Sequence, residues 1–149
     1  MKKVKLFKCV LTAAALFSVT SFSTNINAAQ IVGNLSYGYL SSSGSYLSGG
    51  ASTWYDTGMY PAGVKPVSMI AGVKLFKDGI LVGNHQNQTV GGTSVDDYLD
   101  SGTHPTSSSY VLTTSHNWWW GNNSPSNEYR EHTVKWPCPG GGSFCGPTS

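Results

Sequence analysis

From Gln30 onward, apolar and polar positions alternate with a period of two, and no stretch carries the three-to-four spacing of an amphipathic helix. Between Gln30 and Leu40 one face collects Ile31, Gly33, Leu35, Tyr37 and Tyr39, the pattern of a half-buried strand. Ser41 to Gly50 is rich in serine and glycine and predicts a loop or a weak edge strand. Ser52 to Asp56 reads as a short strand, ended by the turn-rich stretch Thr57 to Gly63. Val67, Met69, Ala71, Val73 and Leu75 then share one face of a strand. Asp78-Gly79 follows between two apolar runs, and a two-residue hairpin turn needs such residues because its backbone takes positive φ. The second arm of that hairpin runs from Ile80 to about Asn87.

Gly91-Gly92 breaks the chain before a strand over Thr93–Leu99, and Asp100 to Ser108 is a loop. Tyr110, Leu112, Thr114, His116, Trp118 and Trp120 line one face of a long strand, with Val111, Thr113, Ser115, Asn117 and Trp119 on the other. Gly121 to Asn127 turns the chain, and Glu128 to Trp136 alternates again. About seven short strands separated by frequent turns predict an all-β fold. The architecture expected is a small antiparallel β-sandwich of immunoglobulin-like or Greek-key type, a single domain over residues 30–136. Residues 137–149 read as a Gly/Pro-rich tail.

The ends of the chain alter the charge picture. Lys2, Lys3, Lys5 and Lys8 precede the apolar run Val10–Phe17, and small residues at Asn27-Ala28-Ala29 suit cleavage after Ala28 or Ala29. Residues 1–29 are therefore expected to be a secretory signal peptide, since the apolar run is too short to span a bilayer. The full chain has 9 Lys+Arg and 7 Asp+Glu; losing four lysines leaves five basic groups against seven acidic, a formal −2. No basic stripe remains for a phosphate backbone and no polybasic segment for an anionic membrane, so neither nucleic acid nor a charged bilayer is expected as a partner. Cys138 and Cys145 are the cysteines left in the exported part, and an oxidising space predicts a disulfide that clips the tail. The architecture resembles the many small exported β proteins of Gram-positive bacteria, a resemblance that implies compartment and fold.

The stretch SHNWWWGNNSPSNEYREH concentrates the candidate chemistry. A symmetric turn centred on Ser124 would set Trp120 against Glu128, Trp118 against Arg130, His116 against His132, Thr114 against Val134 and Leu112 against Trp136. Arg130 over Trp118 would then be a cation–π pair, and Trp119 would project alone from the opposite, polar face. Trp119 is expected either beneath a neighbouring loop or the tail, against Phe144, or as an exposed ring for ligand contact. The ligand-binding residues predicted on this basis are Trp118, Trp119, Trp120, Tyr129 and Arg130. His116 and His132 are weak candidates for metal ligands, but two imidazoles alone do not make a site. The cluster Asp96-Asp97-Tyr98-Leu99-Asp100 reads as a solvated strand end.

No GxSxG elbow, HExxH or phosphate loop occurs, and no motif calls for a cofactor. The histidines His85, His104, His116 and His132 and the acids Asp97, Asp100, Glu128 and Glu131 could form a catalytic set only through geometry. The function expected is a secreted, non-enzymatic binding module for a glycan or other cell-envelope component. The alternatives are an antimicrobial or toxin-like protein whose tryptophans enter membranes, or an exported hydrolase whose site is spread through the sequence.

Overall fold

The computed structural model describes residues 33–121 and 127–147. The signal peptide expected over 1–29 and most of the turn expected at Gly121–Asn127 lie outside the described residues. The strands are Asn34–Ser43 (β1), Tyr46–Tyr55 (β2), Ser68–Lys77 (β3), Ile80–Val90 (β4), Ser94–Tyr98 (β5), Tyr110–Trp119 (β6), Glu128–Trp136 (β7) and Phe144–Cys145 (β8). They form two four-stranded antiparallel sheets, β5-β2-β1-β8 (sheet A) and β4-β3-β6-β7 (sheet B), packed face to face as a β-sandwich. Sheet A thus holds β1, β2 and β5 with β8 added outside β1, and sheet B holds β3, β4, β6 and β7. No described helix is long and apolar enough to cross a membrane.

The Asp78-Gly79 turn forms as its chemistry requires, with φ of 50° and 79° and Lys77 paired to Ile80. Two other expectations are corrected. Ser41 to Gly50 is a hairpin within sheet A rather than a loop or a weak edge strand, because Gly44 takes a φ of 63° and lets Ser43 pair with Tyr46. The segment after Trp136 is also more than a tail: a Cys138–Cys145 disulfide folds it back so that Phe144 and Cys145 pair with Ser41 and Leu40 of β1.

Leu40, Leu47, Leu75, Leu112, Val134 and Trp136 fill one end of the sandwich, next to the buried disulfide. Toward the other end the core becomes polar. His116, Thr53 and Thr114 are fully buried, and Trp118 and Trp120 close the layer beyond them. Sheet A can approach this layer closely because β1 offers Asn34, Ser36 and Gly38 on its inner face. A Cβ at Gly38 would lie 2.6 Å from Thr114 Cγ2 and Oγ1. The alternation read for β1 is thus inverted: Leu35, Tyr37 and Tyr39 stand on the outside of the sandwich, and the small residues between them face inward.

Candidate functional site

The C-terminal hairpin, where ligand contacts were expected, sends its rings in two directions. Trp118 and Trp120 are buried, at 0% and 1% exposure. The Trp118 indole N–H donates to the Trp54 carbonyl at 2.8 Å, and Trp120 packs against Tyr60 and Tyr55 with ring centroids 4.8 and 5.9 Å away. Neither ring is available to a ligand, because the faces they occupy are those of the core. Arg130 is likewise committed: its Nε donates to Glu128 Oε1 at 2.5 Å, and its guanidinium lies 5.0 Å from the centre of the Trp118 ring. Glu128 is itself buried and accepts a second bond from Asn34 Nδ2 at 2.7 Å. Trp119 and Tyr129 are the predicted contact residues left on the surface, on the outer face of sheet B. Trp119 is 49% exposed, and Phe144 lies against Tyr37 and Tyr39 rather than over it.

The register between β6 and β7 is shifted by two residues from the symmetric expectation. Trp118 faces Glu128, His116 faces Arg130 and Leu112 faces Val134. The Trp120 backbone N–H donates to the Asn127 side chain at 2.7 Å, so the ladder gives way to a side-chain bond before reaching residue 120. A shift of two preserves the faces. The arginine–indole and histidine–histidine contacts consequently form on the diagonal, with the His116 and His132 rings 5.0 Å apart.

The ring nitrogens of His116 are taken by hydroxyl partners. Thr53 Oγ1 donates to the Ile70 carbonyl at 3.0 Å, so its lone pair accepts from His116 Nδ1–H at 2.7 Å. The other ring nitrogen, Nε2, accepts from the Thr114 hydroxyl at 2.8 Å. Both nitrogens are therefore used and the ring is neutral. Burial, helped by His132 and Arg130, holds its pKa down to about 3. His132 is also lowered by burial, and its Nε2 lies 2.8 Å from Ser36 Oγ. Among the described residues no group of three or more His, Cys, Asp or Glu could hold a metal ion.

The outer face of sheet A carries what the sequence pattern assigned to the interior. Tyr37, Tyr39 and Phe144 are near-parallel, with interplanar angles of 10–18° and centroids 5.8–6.4 Å apart. Leu35 and Trp54 pair across β1 and β2 on the same face, and Tyr98 of β5 stands 58% exposed opposite Gly50. A shallow groove of about 670 Å³ runs beside Trp54, with Ser52, Ser94, Thr93 and Asp96 on its walls. None of the four strands contains Lys or Arg, and Asp96 is the ionisable acid of this outer face. The negative charge of Asp96 raises the Tyr98 hydroxyl pKa. The strands of this surface therefore offer rings for stacking, hydroxyls and one carboxylate for hydrogen bonding, and among their described residues no Lys or Arg for a phosphate.

No protein-family model, curated protein or solved structure matches this chain. Its chemistry must be read from its own surfaces. Asp97, expected on a solvated strand end, is 1% exposed because it faces inward from β5; it is bonded to His85 of β4 across the open side of the sandwich. The signal for the aromatic face was present in the sequence as Tyr37-Gly-Tyr39 and Trp54, but period-two alternation cannot say which face is the core.

Proposed function

We propose that the protein is an exported binding module that holds an uncharged glycan of the cell envelope or its surroundings against the outer face of sheet A. The observation that carries this reading is the inverted alternation of β1. Tyr37 and Tyr39 lie outside, near-parallel to Phe144, while Asn34, Ser36 and Gly38 occupy the interior. Large rings clustered on a surface, beside serines and without basic groups, suit stacking on sugar faces and hydrogen bonding to their hydroxyls. Export is supported by the basic segment and short apolar run that open the chain.

Affinity electrophoresis and pull-down on soluble and insoluble neutral polysaccharides test this reading. Tyr39→Ala and Tyr98→Ala are expected to weaken binding by about tenfold each, with melting temperature nearly unchanged. Unaltered binding in both variants, or none by the parent protein, would overturn it. A second reading places the contact at Trp119 and Tyr129 on sheet B, favoured by their exposure. It predicts that Trp119→Ala weakens binding while the sheet A variants do not.

A further inference from the structure

On the open side of the sandwich, β4 at the edge of sheet B lies near β5 at the edge of sheet A. A cleft of about 530 Å³ opens between β4 and the segment after β5. Val73 and Tyr110 line it on the sheet B side, and His85, Asp100 and His104 stand on its walls. A Cβ at Gly83 would lie 4.0 Å from His104 Nε2, so the glycine leaves open the gap between β4 and that imidazole.

His85 is 68% exposed, and its Nδ1 is bonded to Oδ1 of the buried Asp97. A carboxylate accepts only, so Nδ1 carries the proton and Nε2 of the neutral ring is left as a base facing accessible space. Asp97 Oδ2 has no hydrogen-bond partner among the described residues. Burying an acid in this way is costly, and a tie between the sheets does not require it. Asn87 Nδ2 already joins β4 to the Asp96 carbonyl of β5 at 2.9 Å by a neutral bond. A buried acid that fixes the tautomer and orientation of an exposed imidazole is the arrangement that general-base catalysis uses.

We propose that this cleft is a hydrolytic site for small uncharged carboxylic esters, with His85 as general base and Asp97 as its positioning residue. His85 Nε2 takes a proton from water as the water oxygen bonds to the ester carbonyl carbon, and the carbonyl π electrons move to oxygen. Collapse of the tetrahedral species re-forms the C=O bond and breaks the C–O bond to the alcohol. The departing oxygen recovers the proton from Nε2, so that ester and water give acid and alcohol with His85 unchanged. Asp97 remains a carboxylate throughout and stabilises the imidazolium. A ring N–H of His104, on the same walls, is a donor for the carbonyl oxygen. Asp100 on the cleft wall and Asp97 behind His85 outnumber Lys77, which disfavours phosphate esters and other anions.

The ionisable groups around His85 are Asp97 and Tyr98 of β5, Asp100 and His104 of the following loop, Lys77 of β3 and Tyr110 of β6. The Asp97 hydrogen bond, then its charge, raises the His85 pKa, with a smaller contribution from Asp100. Hydrolysis of p-nitrophenyl acetate by the purified protein tests the proposal. The rate should rise with pH through a midpoint above that of ordinary imidazole, and His85→Ala should lower it by at least about tenfold. Asp97→Asn, nearly the same shape, should reduce the rate and move the midpoint to lower pH; a folded Asp97→Asn variant with the parent rate and midpoint removes Asp97 from the site. His85→Gln serves if His85→Ala does not fold. A folded His85 variant with the parent rate overturns the proposal, as does a parent rate no greater than that of free imidazole at equal concentration. Polysaccharide binding at sheet A should survive His85→Ala, so this activity and the glycan reading can fail separately.

Discussion

His116 shows what one residue commits the fold to. Its two ring nitrogens are filled by Thr53 and Thr114, an arrangement that suits the neutral ring, and burial keeps its pKa near 3 against about 6.5 in the unfolded chain. Between those pH values the unfolded chain takes up a proton that the folded protein refuses. Stability should therefore be full above roughly pH 6.5 and fall as the pH drops, by up to about 1.4 kcal/mol per pH unit. His132, shifted in the same direction, adds to the effect. His85 works in the opposite sense, so the measurement is cleanest in the His85→Gln background. Urea unfolding at pH 6.5 and at pH 5 should differ by about 1.5 kcal/mol on account of His116. Equal stabilities would show that proton exclusion from this layer contributes nothing.

At the scale of the element, β6 shows how a strand can place three consecutive rings in three settings. Trp118 lies in the core, Trp119 in solvent, and Trp120 just beyond the strand under Tyr60. Trp118→Ala should cost about 3–5 kcal/mol, because the site is fully buried and Arg130 loses the ring it covers. Trp119→Ala should stay within about 0.5 kcal/mol. Thermal and urea unfolding of the two variants provide the comparison, and a similar cost for both would contradict this division of faces. The division was legible in the sequence, as was the Asp78-Gly79 hairpin, since alternation and positive-φ turn residues are local signals. The face of β1 was not. Its inward positions are Asn34, Ser36, Gly38 and Leu40, and residue 38 is held to glycine because the opposing Thr114 occupies the space a side chain there would need. A rule that sends the larger residues inward fails where the opposite sheet supplies the bulk. The β6–β7 register was also beyond local reading, because alternation is the same for every shift of two residues and the Trp120 N–H bond to the Asn127 side chain leaves no trace in it.

For the molecule as a whole, both candidate sites depend on contacts between distant parts of the chain. The cleft joins His85 to Asp97 across two sheets, and the aromatic face joins the first strand to the last. No local pattern in CPGGGSFC announces that Phe144 will stand beside Tyr37 and Tyr39. The placement comes from the Cys138–Cys145 bond, whose half-cystines are both buried, together with the two residue pairs of β8 on β1. The loop it closes is short, so its loss should cost a moderate amount, about 2–3 kcal/mol on the chain-entropy account. The consequence for function should be larger and confined to one side. In the Cys138→Ser/Cys145→Ser double variant, β8 loses its tether, Phe144 leaves the ring cluster, and polysaccharide affinity at sheet A should fall at a temperature where far-ultraviolet circular dichroism is unchanged. His85-dependent ester hydrolysis should persist in the same sample, since neither β4 nor β5 touches β8. Loss of both activities together would mean that the disulfide holds the whole sandwich rather than one edge of it. Full retention of polysaccharide binding would remove Phe144 from the site.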